Sequence, residues 1–558
     1  MSVMPSHFDT DAEDAKLQGL RLKEEEDLAK ILSEKYGVPY TDLTIVAVNT
    51  DALRLIQESL AREAEVVAFN KVAKKVSLGI VNPQHPKLQE VLDMLGQKGL
   101  TTETFLISRA SFEKAMSRYK DLSYAQVTTA GVFDISNDDL VTLSKQLDSI
   151  AGLKQHLDEV LATKKSALVS RLFEDVVTAA LTMKASDIHL EPEESGVRLR
   201  LRLDGLLTDA YMFDARTYRS INSRIKLLSG LKLNVENRAQ DGRFTIAVKD
   251  MEIEIRTSVI PGGYGESIVL RVLDPTTLQR TFESMGVHPK LLAQLREEIK
   301  KPNGMLLTTG PTGSGKTTTL YTFLKEIHTP DIKIITIEDP IEYHLEGIVQ
   351  TQVDHKQYTF ASGLRSILRQ DPDVILVGEI RDAEVASTAV QAALTGHFVF
   401  STLHTNNAAG TFPRLVDLGL DPKVFASAIT VAMAQRLVRT LDATTKQPRP
   451  ATPEEKELMQ KTLASLTDTS LLPASYDTVY DAVPNDKGDG YKGRTGIHEG
   501  IFMDEELGNF LRDNPSEGDI AKHVIRQGYP TMAQVGVLKV LAGDTTLEEL
   551  QRVVEIGK

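Results

Sequence analysis

The 558-residue chain contains no cysteine and no tryptophan, and only 6% of it is aromatic. The missing thiols exclude disulfides, a thiol nucleophile and a cysteine-built zinc site, and they fit a reducing compartment. Long apolar runs are missing as well. Stretches such as Val374–Val377 fall far short of the roughly 20 apolar residues that a membrane-spanning helix needs. Met1 to Glu26 is polar and acidic, without the apolar core of a signal peptide. These absences predict a cytosolic protein that meets a membrane only through partners. Excess basic charge is lacking too: 64 Lys and Arg stand against 78 Asp and Glu, a net charge of −14, which argues against coating a nucleic acid.

What the chain does contain is a glycine-rich turn between an apolar strand and a helix. Met305 to Thr309 reads as the strand, and Gly310-Pro311-Thr312-Gly313-Ser314-Gly315-Lys316-Thr317-Thr318 carries the spacing G-x-x-x-x-G-K-[ST]. Glycines let successive N–H groups curl round a phosphate. Lys316 is placed to reach the β- and γ-phosphates, Thr317 to ligate Mg²⁺, and the helix start to favour the anion. The pattern predicts ATP-type nucleotide binding by this loop.

Hydrolysis needs further groups. Two apolar strands run into acids: Ile334–Ile337 into Glu338, Asp339 and Glu342, and Val374–Val377 into Glu379. In open α/β sheets the carboxyl ends of strands face the ligand crevice, so these acids should emerge beside the phosphates. Glu379 suits an outer-shell Mg²⁺ carboxylate. His397 and His404 flank a further strand, and His404 is the better candidate to sense a γ-phosphate. Arg365 and Arg369 sit four apart, on one face if helical. Arg256 and Arg271 lie outside the nucleotide module and reach a phosphate only if their module packs over the site, from the same chain or a neighbour.

The patterning predicts an α/β protein in five parts. Residues 1–23 read as a disordered tail, 24–120 as a small α/β docking module, and 121–160 as a linker or a loosely packed helix. Residues 161–275 read as a middle module with a meandering sheet and helices on one side. Residues 276–558 form the nucleotide module, whose near-continuous apolar strands suit a parallel sheet covered on both faces. In the first module, Leu28, Ile31 and Leu32 share a helix face, and Ser111 is the expected cap of a helix carrying Phe112, Ala115 and Met116. Residues 442–490 are a polar insertion with no assigned structure.

Several motifs in fixed order resemble the secretion-ATPase superfamily of type II secretion and type IV pili (the GspE, PilB and PilT group). They are Ala185-Ser186-Asp187-Ile188-His189-Leu190-Glu191-Pro192, Arg200-Leu201-Arg202-Leu203-Asp204-Gly205, the phosphate loop, and the acidic box Thr336–Tyr343. Val377-Gly378-Glu379-Ile380-Arg381-Asp382, Thr395-Gly396-His397 through Leu403-His404-Thr405, and Gly490-Tyr491-Lys492-Gly493-Arg494-Thr495-Gly496-Ile497-His498-Glu499 complete the set. The resemblance implies a RecA-like P-loop ATPase core with a mobile, PAS-like middle domain, assembled as a homohexamer. It implies that Glu342 activates water, that Glu379 supports Mg²⁺ through water and that His404 approaches the γ-phosphate. Arg256 and Arg271 would supply charge from the other domain, typically across a subunit boundary, and Arg365 and Arg369 match two further arginines near the site.

The segment Tyr36-Gly37-Val38-Pro39-Tyr40-Thr41-Asp42-Leu43 looks like the N-terminal domain of secretion and pilus-extension members, which commonly docks to an inner-membrane assembly protein. There is no Arg-Leu-Gly repeat of the kind that binds cyclic di-GMP in some relatives. Many relatives carry a four-cysteine zinc site after the segment matching Gln435-Arg436-Leu437; here no zinc is expected. The resemblance implies a motor driving pilin assembly through a membrane platform protein and other cytoplasmic assembly proteins, without nucleic acid. A type II secretion or DNA-uptake system of the same family stays open. So do a nucleic-acid translocase and a non-hydrolysing nucleotide switch.

Overall fold

The computed structural model describes residues 25–557 except 47, 54, 73, 122–125, 129–131, 136–142, 163–167, 249–250, 277–280, 355–356 and 486–487. The tail expected over 1–23 lies outside these residues. Among the described residues, three sheets of three or more strands organise the rest, with a two-stranded ribbon beside them.

The first is small: β1 (Val66–Val72), β2 (Lys75–Ile80) and β3 (Thr101–Leu106), in that order, with β1 and β2 antiparallel and β2 and β3 parallel. The helix over residues 25–36 lies alongside it, but Leu28 and Ile31 of the expected apolar stripe are 56% and 64% exposed. Ala29 is buried in their place, so the inward face is rotated relative to the stripe. The cap of the helix Arg109–Ser117 is Ser108, which accepts from Ser111 N–H; Ser111 itself is buried one turn in. Both residues are serines before the same apolar run, and the chain direction after β3 selects the first.

The second sheet contains β4 (Gln126–Thr128), β5 (Val132–Ile135), β6 (Asp187–Glu193), β7 (Gly196–Leu203), β8 (Leu206–Phe213), β9 (Gln240–Val248), β10 (Met251–Gly262) and β11 (Gly265–Leu273). Their spatial order is β4-β5-β9-β10-β11-β6-β7-β8. The stretch read as a linker or loose helix thus supplies the edge strand β4 and its neighbour β5, and its helix Ile150–Ala162 is firmly packed, burying Leu153, Leu157 and Val160 in this core. One sheet face is apolar, with Phe244, Ile255, Leu270, Ile188 and Leu201 packed against the helices Leu168–Thr182 and Ala215–Leu228. The opposite face is charged. Because side chains alternate along a strand, cross-strand pairing sets Arg243, Arg256, Arg271, Asp187 and Arg202 in one row across five strands.

The third sheet is built from β12 (Gly304–Thr309), β13 (Ile334–Glu338), β14 (Val349–Gln352), β15 (Val374–Val377), β16 (Phe398–Leu403), β17 (Ile429–Leu441) and, after the insertion, a strand over Tyr491–Phe502. The order is β14-β13-β15-β16-β12-β17 and then that last strand; all pairs are parallel except the final one. β12 sits between β16 and β17 and is buried along its whole length. Helices cover both faces, with apolar clusters on either side. This is a RecA-like core.

Within the cysteine-free insertion, β18 (Gln447–Pro450) and β19 (Thr478–Asp481) pair antiparallel, so the strand over Tyr491–Phe502 becomes β20. Met459, Leu463 and Val479 join the main core. Arg449 bridges Glu455 at 2.6 Å and Asp481 at 2.8 Å, and Thr452 with Glu455 forms a reciprocal cap on the helix Pro453–Leu463. Apolar burial and ion pairs hold the segment.

Candidate functional site

Parallel pairing brings the carboxyl ends of β12, β13, β15 and β16 to one edge of the sheet, and each of those strand ends is followed by polar residues. After β12 the chain turns through the glycine loop into the helix Lys316–Ile327. Gly310 has φ +151°, and a Cβ there would stand 2.6 Å from Ser314 Oγ and 2.7 Å from the Gln435 carbonyl oxygen. Gly315 has φ +89°, with Gln435 Nε2 3.2 Å from where its Cβ would be. Both positions therefore need glycine. Pro311, Thr312 and Gly313 form an exposed crest, Ser314 is buried beneath it, and Thr318 follows Thr317 into the helix. Lys316 Nζ donates to the carbonyls of Gly310 at 2.7 Å and Pro311 at 3.2 Å, lying back across the loop.

Beside the loop opens a cleft of about 150 Å³, lined by Thr317, Glu338, Asp339, Glu342, Glu379 and Thr402 among others. Glu342 accepts from Arg256 Nη1 at 2.8 Å, and a second Arg256 nitrogen donates to the Ile341 carbonyl. Arg256 also bonds Glu254 within its own sheet at 3.2 Å. The middle domain therefore touches the cleft from the same chain. A second contact, Gly493 N–H to Asp204 at 2.8 Å, joins the two modules at the turn after β7.

Glu379 pairs with Arg381 and lies 3.7 Å from His404 Nε2. Burial, reinforced by Lys316, holds the His404 imidazole below its ordinary value, so the ring is neutral near pH 7. Glu338 is 4% exposed and accepts from Thr336 at 2.6 Å, from Gln350 at 3.2 Å and from the Tyr321 hydroxyl. Burial pushes its carboxyl upward against these bonds.

Of the residues picked from sequence, the fold brings the phosphate loop, Thr317, Glu342, Glu379, His404 and Arg256 together. Arg271 pairs with Asp187 at 3.1 Å and is 55% exposed. Arg365 pairs with Glu384, Arg369 folds back on the Arg365 carbonyl at 2.9 Å, and neither lines the cleft. His397 stands at the start of β16, the opposite end from the site, with Nδ1 3.0 Å from the Ala392 carbonyl. Tyr321 and Gln350, which bond Glu338, carry no spacing signal, and Gln435 and Arg436, which the sequence marks only as a segment shared with relatives, gain a place beside the phosphate loop from the fold alone.

Burial brings the Lys316 ammonium down to about 8, with Glu379 opposing and Arg436 reinforcing the effect. A phosphate at Nζ restores the protonated form. The Lys316 contribution to binding of a phosphorylated ligand should therefore be constant below about 8 and fall as pH rises through that value, with proton uptake between there and the ordinary lysine value. Calorimetry at about pH 9 in two buffers of different ionisation enthalpy reads that uptake directly; identical heats in both would contradict it.

A family model described as Type II/IV secretion system protein matches residues 162–552, and a second, the MshEN domain, matches residues 36–125. Type II secretion system protein E of Dickeya dadantii is 39% identical over 512 residues, which cover 91% of this chain and 98% of its own. The type IV pilus assembly ATPase PilB of Myxococcus xanthus is 35% identical over 538 residues, 94% of this chain and 91% of its own. Among solved structures, the ATPase DotB of Yersinia pseudotuberculosis is alike in fold, with a TM-score of 0.50 at 20% identity over 68% of this chain and 92% of its own. Among the described residues no helix is long and apolar enough to cross a membrane. With the phosphate loop and its acidic strand ends inside the matched span, the chain belongs to the type II/IV secretion system protein family, the ATPases of type II secretion and type IV pilus assembly.

Proposed function

We propose that the protein is a cytoplasmic homohexameric motor that hydrolyses ATP to drive type IV pilus assembly through an inner-membrane platform protein and cytoplasmic assembly proteins. The observation that carries this reading is the Arg256–Glu342 bond at 2.8 Å. It ties the carboxylate best placed to activate water to a separate domain, so a change at the phosphates alters the angle between two bodies.

In this reading the loop amides and Lys316 hold the β- and γ-phosphates, and Glu342 takes the proton of the attacking water. His404, neutral and beside Glu379, faces the γ-phosphate. Thr317 and Glu379 line one cleft and offer the oxygen donors that Mg²⁺ takes, so the donor set fits that ion, with Glu379 acting through water. Bound there, Mg²⁺ supplies neutralisation of charge on the phosphates. Arg271 and Arg365, 55% and 53% exposed though paired with Asp187 and Glu384, and Arg369 would reach a neighbouring subunit's nucleotide by exchanging those bonds for its phosphates.

Phosphate release by the purified protein with ATP and Mg²⁺ tests the reading, and stimulation by DNA would move it to a nucleic-acid translocase. Arg256→Ala should slow turnover by about 10–100-fold, in line with loss of a charge that acts in the transition state; wild-type rates would remove Arg256 from the mechanism. Similar coverage by a type II secretion and a pilus relative leaves the choice of machine to the cell. Deleting the gene should abolish surface pili, and loss of secreted enzymes with pili intact would favour type II secretion or a DNA-uptake pseudopilus.

A further inference from the structure

β17 runs parallel to β12 with Ala434 opposite Thr309, and it continues seven residues past that point to Leu441. Gln435 and Arg436 therefore stand directly beside the turn where β12 gives way to the phosphate loop. Gln435 is 1% exposed, and its Nε2 donates to the Ser314 carbonyl at 2.7 Å. Gln435 Oε1 and Ser314 Oγ are both buried, with no hydrogen-bond partner among the described residues. Arg436 is 9% exposed; its Nη1 donates to the Gln435 carbonyl at 3.0 Å and its Nη2 to the Asn406 carbonyl at 2.7 Å. Asn406 belongs to the loop that carries His404, and Thr405 of that loop bonds Thr309 Oγ1 through its N–H and its hydroxyl, each at 2.7 Å.

Buried polar groups cost stability unless bonded, and buried cations more so. Among the described residues no carboxylate forms an ion pair with Arg436; both of its bonds go to carbonyls, and Glu499 acts on it only at longer range. A nearly buried guanidinium with neutral partners, next to a loop built for anions, is better explained by what it holds in place than by stability alone.

We propose that Gln435 and Arg436 are positioning residues that clamp the phosphate loop and the His404 loop into one rigid cradle for the nucleotide's phosphates. Gln435 fixes the underside of the phosphate loop through Ser314, which sets the direction of the amides that follow. Arg436 fixes the His404 loop from the same strand. The clamp acts on geometry and long-range charge without touching the ligand. The proposal rests on the ATPase reading above.

The test uses the full-length protein. Binding of a fluorescent ATP analogue and phosphate release are measured for wild type, Gln435→Met, Gln435→Ala, Arg436→Gln and Arg436→Lys. Gln435→Met keeps the volume and removes the donor, so it carries the test even if Gln435→Ala fails to fold. Gln435→Met should raise Kd and KM about tenfold while kcat stays within about twofold, because the cradle is loosened but the acids are not. Arg436→Gln should lower kcat at least tenfold, and Arg436→Lys, which can keep one carbonyl bond, should recover part of it. A purely structural role predicts instead a lowered melting temperature without nucleotide and equal losses in every parameter, with no recovery by lysine. Wild-type Kd in folded Gln435→Met, or equal losses of that kind, overturns the clamp. Failure of the wild-type protein to bind the analogue at all would overturn the ATPase reading instead, so the two failures are distinguishable.

Discussion

Replacing Lys316 with alanine should abolish nucleotide binding and turnover together, and it is the largest effect expected for any single change. Lys316 Nζ already lies across the loop, held by the Gly310 carbonyl at 2.7 Å and the Pro311 carbonyl at 3.2 Å. Its ammonium is partly desolvated, which is why its proton affinity has dropped. A phosphate arriving there exchanges weak carbonyl bonds for charge-assisted ones at low local dielectric, and bonds of that kind are roughly twice as strong as neutral ones. Alanine removes the charge and leaves the loop carbonyls turned inward toward an anion. Affinity should fall by at least about 100-fold, on the order of 3 kcal/mol. Fluorescence titration with an ATP analogue measures it, alongside melting temperature to show that the fold survives. Binding within a few-fold of wild type would dismiss the loop as the nucleotide site.

Glu342→Gln should separate binding from chemistry. Glutamine keeps the shape and still accepts from Arg256, so the contact between modules at 2.8 Å is weakened and not lost. What disappears is the basicity needed to take a proton from water, worth typically 10²–10⁴-fold. The variant should bind ATP with near wild-type affinity and release phosphate at least about 100-fold more slowly. A rapid-quench measurement of the first turnover separates this from slow product release. Unchanged single-turnover rates would take Glu342 out of the mechanism and direct attention to Glu338, which the fold buries under Thr336, Tyr321 and Gln350.

The parts of the site that sequence reading found are those with local signals. A glycine loop at fixed spacing, apolar runs ending in acids, and a histidine after a buried strand each mark a backbone event within a few residues. β15 has the bounds expected from its apolar run, Val374–Val377. β17 carries no local strand signal, because Ile429–Leu441 follows directly on the helix Pro422–Ala428 with no turn residues between them. β4 and β5 are too short to show periodicity; only pairing with β9 makes them strands. The N-terminal helix shows the converse, since an apolar stripe marks an amphipathic helix without saying which residues a neighbouring sheet will cover.

On its own the sequence determined that a phosphate loop exists, which acids end its neighbouring strands, and that no thiol chemistry takes part. Tertiary structure alone decided which arginine reaches those acids. Arg256 and Arg271 face each other across β10 and β11, yet one bonds Glu342 and the other Asp187. No spacing along the chain encodes that difference, because it depends on how the charged face of one sheet is set against the strand ends of another. Contacts between residues 86 apart in sequence are fixed by the packing of two cores, and a pattern read over a window of a dozen residues carries no record of it.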